Sequence, residues 1–190
     1  MPLSAIHEKF KVSCLPRATE VAREWRATHV ISLLDPGIAD EHVPRISGAE
    51  HVVARLRDQE NMLETGHFPD LVVSLFETVR PAAERHDARI LVHCHAGISR
   101  STAFAYSLIA HRAGPGREAE AFDAFLSIVH KPWPNRRIVE ILDRHFGRDG
   151  ALLAPLDALR EKHPRRIDAL HRHNIRRGFF ELVPCEIYNR

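Results

Sequence analysis

A chain of 190 residues, 44% hydrophobic and 27% charged, has the length of one domain and the composition of a globular protein that buries its own core. Its 27 Lys and Arg against 25 Asp and Glu leave a net charge of +2, so no overall field recommends a nucleic acid or a membrane surface as partner. Its 3 cysteines, Cys14, Cys94 and Cys185, form neither a disulfide framework nor a metal-ligand spacing, and no run approaches the ~18 apolar residues of a membrane span, so reduced thiols and a cytoplasmic location are expected.

Residues 10–15, FKVSCL, alternate loosely and predict a first strand, closed by Pro16. Residues 17–27 predict a short helix with Val21 and Trp25 on its buried side. Residues 28–34 form a second, nearly continuous apolar strand, a pattern of strands covered on both faces, and Asp35-Pro36-Gly37 stops it. Residues 38–49 show no period, and residues 51–57 predict a third strand that ends at Asp58. Residues 59–68 are polar and irregular, as a surface loop would be. Pro69 opens a helix in which Val72, Leu75, Phe76 and Val79 recur at helical spacing until Pro81. A polar link, residues 82–88, leads to a strand ending at Cys94.

After Cys94 the chain turns through a loop into a helix over residues 101–113, where Ala103, Ala105 and Ala110 are small enough to pack closely on a sheet. Gly114-Pro115-Gly116 ends it. Phe122, Phe125, Leu126 and Val129 mark the next helix, Lys131-Pro132-Trp133-Pro134-Asn135 breaks the chain, and Ile138, Ile141, Leu142 and Phe146 mark another. Residues 151–162 predict a last helix. Residues 163–190 mix basic residues with an apolar patch from Phe179 to Val183, and Arg165, Arg166, Arg172, Arg176 and Arg177 read as a solvated face. The alternation predicts an α/β fold with a central, mostly parallel β-sheet flanked by helices on both sides. Residues 1–150 are expected to form the main domain, with the helix and basic tail of residues 151–190 packed upon it.

Strand, loop and helix N-terminus meet at His93-Cys94-His95-Ala96-Gly97-Ile98-Ser99-Arg100-Ser101. Unpaired N–H groups and the helix dipole make such a loop an oxyanion site. Gly97 lets the backbone turn inward, and the fork of Arg100 grips two anionic oxygens. Cys94 faces the same positive field, which favours its thiolate and makes it a nucleophile. Ser101 can aim its hydroxyl at the sulfur and ease its departure as an anion. A nucleophile beneath a phosphate cradle implies attack on phosphorus.

The stretch VHCHAGISRS resembles the active-site loop of the cysteine-dependent protein tyrosine phosphatases, and AGISRS is most similar to their dual-specificity branch. The resemblance covers residues 10–147. It implies a tyrosine-phosphatase-like fold, with Cys94 as nucleophile, residues His95, Ala96, Gly97, Ile98, Ser99 and Arg100 as phosphate cradle, Ser101 as helper of the leaving thiolate, and His93 in support. It implies a general acid at the end of an upstream strand, which matches Asp58. Pro134-Asn135 resembles the element that supports the loop in that branch.

A departing alkoxide or phenoxide must be protonated, and a carboxylic acid on a loop serves. Asp35 precedes Pro-Gly, where a turn role suffices; Asp70 opens a helix, where any acid suits the dipole; Asp40 has no strand end to place it. Asp58 follows a strand and opens a loop. The expected reaction is two-step hydrolysis through a phosphocysteine, without metal or cofactor, because loop and arginine supply the positive charge.

A phosphorylated protein, phosphotyrosine first, or a small phosphate monoester is the expected substrate. A phosphoinositide is the lesser choice, since lysines are absent from the loop, although a protonated His95 would add charge. Rivals are a sulfurtransferase, which Arg100-Ser101 suits poorly, an arsenate reductase, which wants closer partner cysteines, and a phosphate-binding module without turnover.

Overall fold

The computed structural model of the chain describes residues 3–60, 67–176 and 178; the expected apolar patch from Phe179 and Cys185 lie outside them, as does most of the loop expected over residues 59–68. Strands β1 (Phe10–Cys14), β2 (His29–Leu34), β3 (Glu50–Arg55) and β4 (Ile90–Cys94) form a parallel sheet in the order β1-β4-β2-β3. Among these strands every pairing is parallel. β4 holds a central place because ILVHC is buried along its whole length, whereas the more polar EHVVAR of β3 tolerates an edge.

Alternation along each strand divides the core in two. On one face Phe10, Ile31, Leu33, Ile90 and Val92 pack under α3 (Phe68–Glu84), α4 (Arg100–Ala113), α5 (Glu118–Ile128) and α6 (Arg136–His145), with Phe76, Phe104, Phe125 and Leu142 among the contacts. On the other, Val30 and Leu91 pack with Ala22 of α2 (Ala18–Glu24) and with Ala27, flanked by Val21 and Trp25. The α/β architecture with helices on both faces is therefore as the sequence predicts. A short α1 (Ile6–Lys9) precedes β1.

Two boundaries differ from expectation. α2 stops at Glu24 because Arg26 turns to φ 53, letting Ala27 N–H reach the Ala22 carbonyl at 2.9 Å and close the helix with a non-glycine residue. α3 runs past Pro81 to Glu84. In a last turn the proline removes one hydrogen bond only, and Arg112 covers the end by donating to the Ala83 and Glu84 carbonyls at 2.8 and 3.2 Å.

From Gly150 through α7 (Leu153–Lys162) the chain stays close to the core. Asp143 of α6 accepts the Gly150 and Leu152 N–H groups at 2.6 and 2.8 Å, and Tyr106 Oη donates to the Leu152 carbonyl at 3.1 Å. This fastens the start of α7, whose Leu156 is fully buried. A further helix, α8 (Arg166–Arg176), occupies part of the stretch expected to be a basic tail. Among the described residues no helix is long and apolar enough to cross a membrane.

Candidate active site

β4 delivers Cys94 to the carboxyl edge of the sheet, and α4 begins six residues later. Cys94 is 1% exposed and its Sγ lies 3.1 Å from Ser101 Oγ, since the second residue of α4 turns its side chain back toward the strand. The intervening loop is tied at several points. His95 accepts the Leu15 N–H at its carbonyl, 2.9 Å, linking the loop to the end of β1, and Ile98 and Ser99 accept the Trp133 and Asn135 N–H groups at 2.9 and 3.2 Å. Gly97 has φ +72, and a Cβ there would stand 2.6 Å from the Ser13 carbonyl oxygen. Glycine is thus required by the backbone of β1 as well as by the turn.

Four expected site residues converge above this loop. Arg100 is 1% exposed; its Nη1 donates to the Leu56 carbonyl at 2.6 Å and its Nε lies 3.6 Å from Asp58 Oδ2. Asp58 Oδ1 accepts from Ser99 Oγ at 2.6 Å and from Asn135 Nδ2 at 2.9 Å. Asn135 in turn caps α6, its Oδ1 accepting the Ile138 N–H at 3.0 Å. The other carboxylates weighed as acids stand elsewhere. Asp40 pairs with Arg55 at 2.6 Å with its side chain 97% exposed, and Asp70 lies open beside His67. Asp35 accepts the Gly37 N–H at 3.3 Å within its turn.

His93, in β4, and His95, in the loop, are both buried. His93 faces the side of the sheet away from Cys94, where Ser32 Oγ lies 2.5 Å from its Nε2 and 2.7 Å from His51 Nε2. Burial, with the charge of Arg100 among the lesser causes, holds its pKa at about 3. His95 would add charge only if protonated: its Nε2 accepts the Asp35 N–H at 3.0 Å, so that nitrogen carries a lone pair, and burial followed by the nearby Arg100 lowers its pKa to about 4. It adds no positive charge to the cradle near neutral pH.

The loop opens into a cavity of about 530 Å³. Cys94, Ile98 and Asp58 line it from below and the side, and Trp133, Ile167, Leu170 and Asn174 from above. The participation of α8 was missed in the sequence, although Ile167, Leu170 and Asn174 stand at helical spacing. Glu60 was also missed; its Oε1 accepts the Arg136 N–H at the start of α6 at 2.8 Å. Cys14 and Cys94 are register partners across β1 and β4.

No family model matches the chain, and no curated protein sequence matches it. Solved structures do. The human tyrosine phosphatase-like serine/threonine/tyrosine-interacting protein is 19% identical, with 73% of this chain and 91% of that one covered and a TM-score of 0.53. The Cydia pomonella PTP-2 phosphatase is 22% identical over 72% of this chain and 84% of that one, TM-score 0.53. Human DUSP28 is 22% identical over 73% and 88%, TM-score 0.54. The chain shares its fold with these proteins.

Proposed function

We propose that a chain with this tyrosine-phosphatase-like fold is itself a metal-independent phosphatase, hydrolysing phosphate monoesters through a phosphocysteine on Cys94. The observation that carries the reading is the meeting of Asp58 with Arg100 and Ser99 at the Cys94 loop, about 40 residues on in sequence. In the first step Cys94 Sγ attacks phosphorus, the loop N–H groups and Arg100 hold the equatorial oxygens, and Asp58 gives its proton to the departing oxygen. The S–P bond forms as the P–O bond breaks. In the second, Asp58, now a carboxylate, takes a proton from water as that water attacks phosphorus, and the thiolate leaves toward Ser101 Oγ. Inorganic phosphate is released.

A protein phosphotyrosine is the substrate class that best suits the cavity. Ile98, Trp133 and Leu170 offer apolar walls to an aryl ring. With His95 neutral and no lysine in the loop, the cradle has little extra charge for a polyanionic headgroup. The test is hydrolysis of p-nitrophenyl phosphate with chelator present, from pH 4 to 9, by the natural chain, Cys94→Ser and Asp58→Asn. The expected result is a bell-shaped profile abolished by Cys94→Ser, with its basic limb flattened by Asp58→Asn. No turnover in the natural chain at any pH overturns the reading and leaves a phosphate-binding module.

A further inference from the structure

Residues 57–60 follow the end of β3 without regular structure, so side chains must hold Asp58 over the cradle. Asp58 itself is bound at one point of that loop, and Glu60, two residues on, is the other. Its carboxylate meets the N-terminus of α6 through the Arg136 N–H at 2.8 Å, a favourable place for a negative charge. The same carboxylate receives the fork of Arg160 from α7, Nη1 to Oε2 at 2.9 Å and Nη2 to Oε1 at 2.5 Å.

Arg160 does more than close an ion pair. Nη2 also donates to the Pro134 carbonyl at 2.7 Å, and the guanidinium carbon stands 4.8 Å from the centre of the Trp133 ring. Pro134 precedes Asn135, whose amide touches Asp58. One partly buried guanidinium therefore grips the acid loop on one side and the segment carrying Asn135 on the other. Its own helix is braced by Asp157, which takes a second fork from Arg136 at 2.9 and 3.0 Å.

We infer that Arg160 is a positioning residue for proton transfer: by clamping Glu60 and the Pro134 carbonyl it fixes Asp58 where the leaving oxygen departs. This rests on the phosphatase reading above and assigns a role in it to α7, which lies outside the stretch that resembles the phosphatases. Arg160 touches neither phosphate nor nucleophile, so its loss should show only where protonation of the leaving group matters. Phenol, with a pKa of about 10, needs that proton far more than p-nitrophenol does.

The experiment compares kcat on phenyl phosphate and p-nitrophenyl phosphate for the natural chain, Arg160→Ala, Arg160→Lys and Glu60→Gln. A misplacement of the acid by about 1 Å costs on the order of 100-fold, so Arg160→Ala should lose about 10- to 100-fold on phenyl phosphate. On p-nitrophenyl phosphate it should lose under about 3-fold, because a good leaving group needs little help. Its basic limb should flatten as in Asp58→Asn. Arg160→Lys, which keeps charge but not the fork, should fall between, and Glu60→Gln should follow Arg160→Ala. Equal losses on both substrates, tracking a fall in melting temperature, overturn the inference and leave Arg160 a structural brace. Should Arg160→Ala fail to fold by circular dichroism, Arg160→Lys and Glu60→Gln decide by the same ratio. Absence of turnover in the natural chain overturns the phosphatase reading itself, and this role with it.

Discussion

Asn135 joins the acid to a helix with the two ends of one amide: Nδ2 donates to Asp58 at 2.9 Å and Oδ1 accepts the Ile138 N–H at 3.0 Å. The two roles separate by substitution. Asn135→Ala loses both, costing about 1 kcal/mol of cap, which is roughly 2–4 °C in a chain of this size. Asn135→Ser keeps a capping oxygen but is too short to reach Asp58. Both variants should lose kcat on phenyl phosphate, whereas melting temperature should fall mainly for alanine. Full activity in Asn135→Ser would sink the link to Asp58.

Ser101 Oγ lies 3.1 Å from Cys94 Sγ, and on the proposed mechanism it would donate a hydrogen bond to the thiolate leaving in the second step. A hydrogen bond to a charged group contributes about 1.5–3 kcal/mol, so Ser101→Ala should slow dephosphorylation by about 10- to 100-fold. Stopped-flow mixing with p-nitrophenyl phosphate should then show a burst approaching one equivalent of p-nitrophenol. A slower kcat with no burst would put the loss in the first step instead.

Gly97 and Gly116 both have positive φ, +72 and +79, but only at Gly97 would a Cβ strike the Ser13 backbone. Alanine at Gly116 should cost about 1–2 kcal/mol of conformational strain. At Gly97 the same strain adds to a clash that shifts the cradle, about 2–4 kcal/mol in all, with activity lost. Denaturant unfolding of both variants measures the difference. Equal losses would mean that the loop moves aside freely.

His93 and His95, with pKa values of about 3 and 4, stay neutral in the folded chain where an unfolded histidine, near 6.5, is protonated. The unfolded state therefore binds more protons between those limits. Stability is fully present above about pH 6.5 and is lost as pH falls toward 4, by about 1.4 kcal/mol per pH unit for each histidine. His95→Gln should flatten that slope by about one proton in the pH dependence of the unfolding free energy. An unchanged slope would mean that His95 titrates normally in the fold.

Much of this was readable. The apolar runs leading to Leu34 and Cys94 are long enough and pure enough to specify buried parallel strands, and the turn residues after them leave little freedom. Cys94, Gly97, Arg100 and Ser101 are neighbours in sequence, so local spacing could announce a cradle. Asp58, which the structure sets beside Arg100 and Ser99, could be singled out because strand ends are few. Glu60 and Arg160 had no such signal: they are 100 positions apart, and each looks like an ordinary surface charge until the fold brings them together. Pro81 misled because a proline's cost depends on how much helix follows it, which composition does not reveal. The charge of His95 was left open by the sequence because the burial and the nearby Arg100 that lower its pKa arise only in the fold.

The place of Arg160 in the chain has a consequence for biosynthesis. Every strand of the sheet, the cysteine loop and Asp58 precede α7 in the chain, so they are synthesised before it. The clamp arrives afterwards. On the proposed mechanism Cys94 is therefore made before the residue that would fix Asp58, and a chain interrupted after α6 would lack the Arg160 tether.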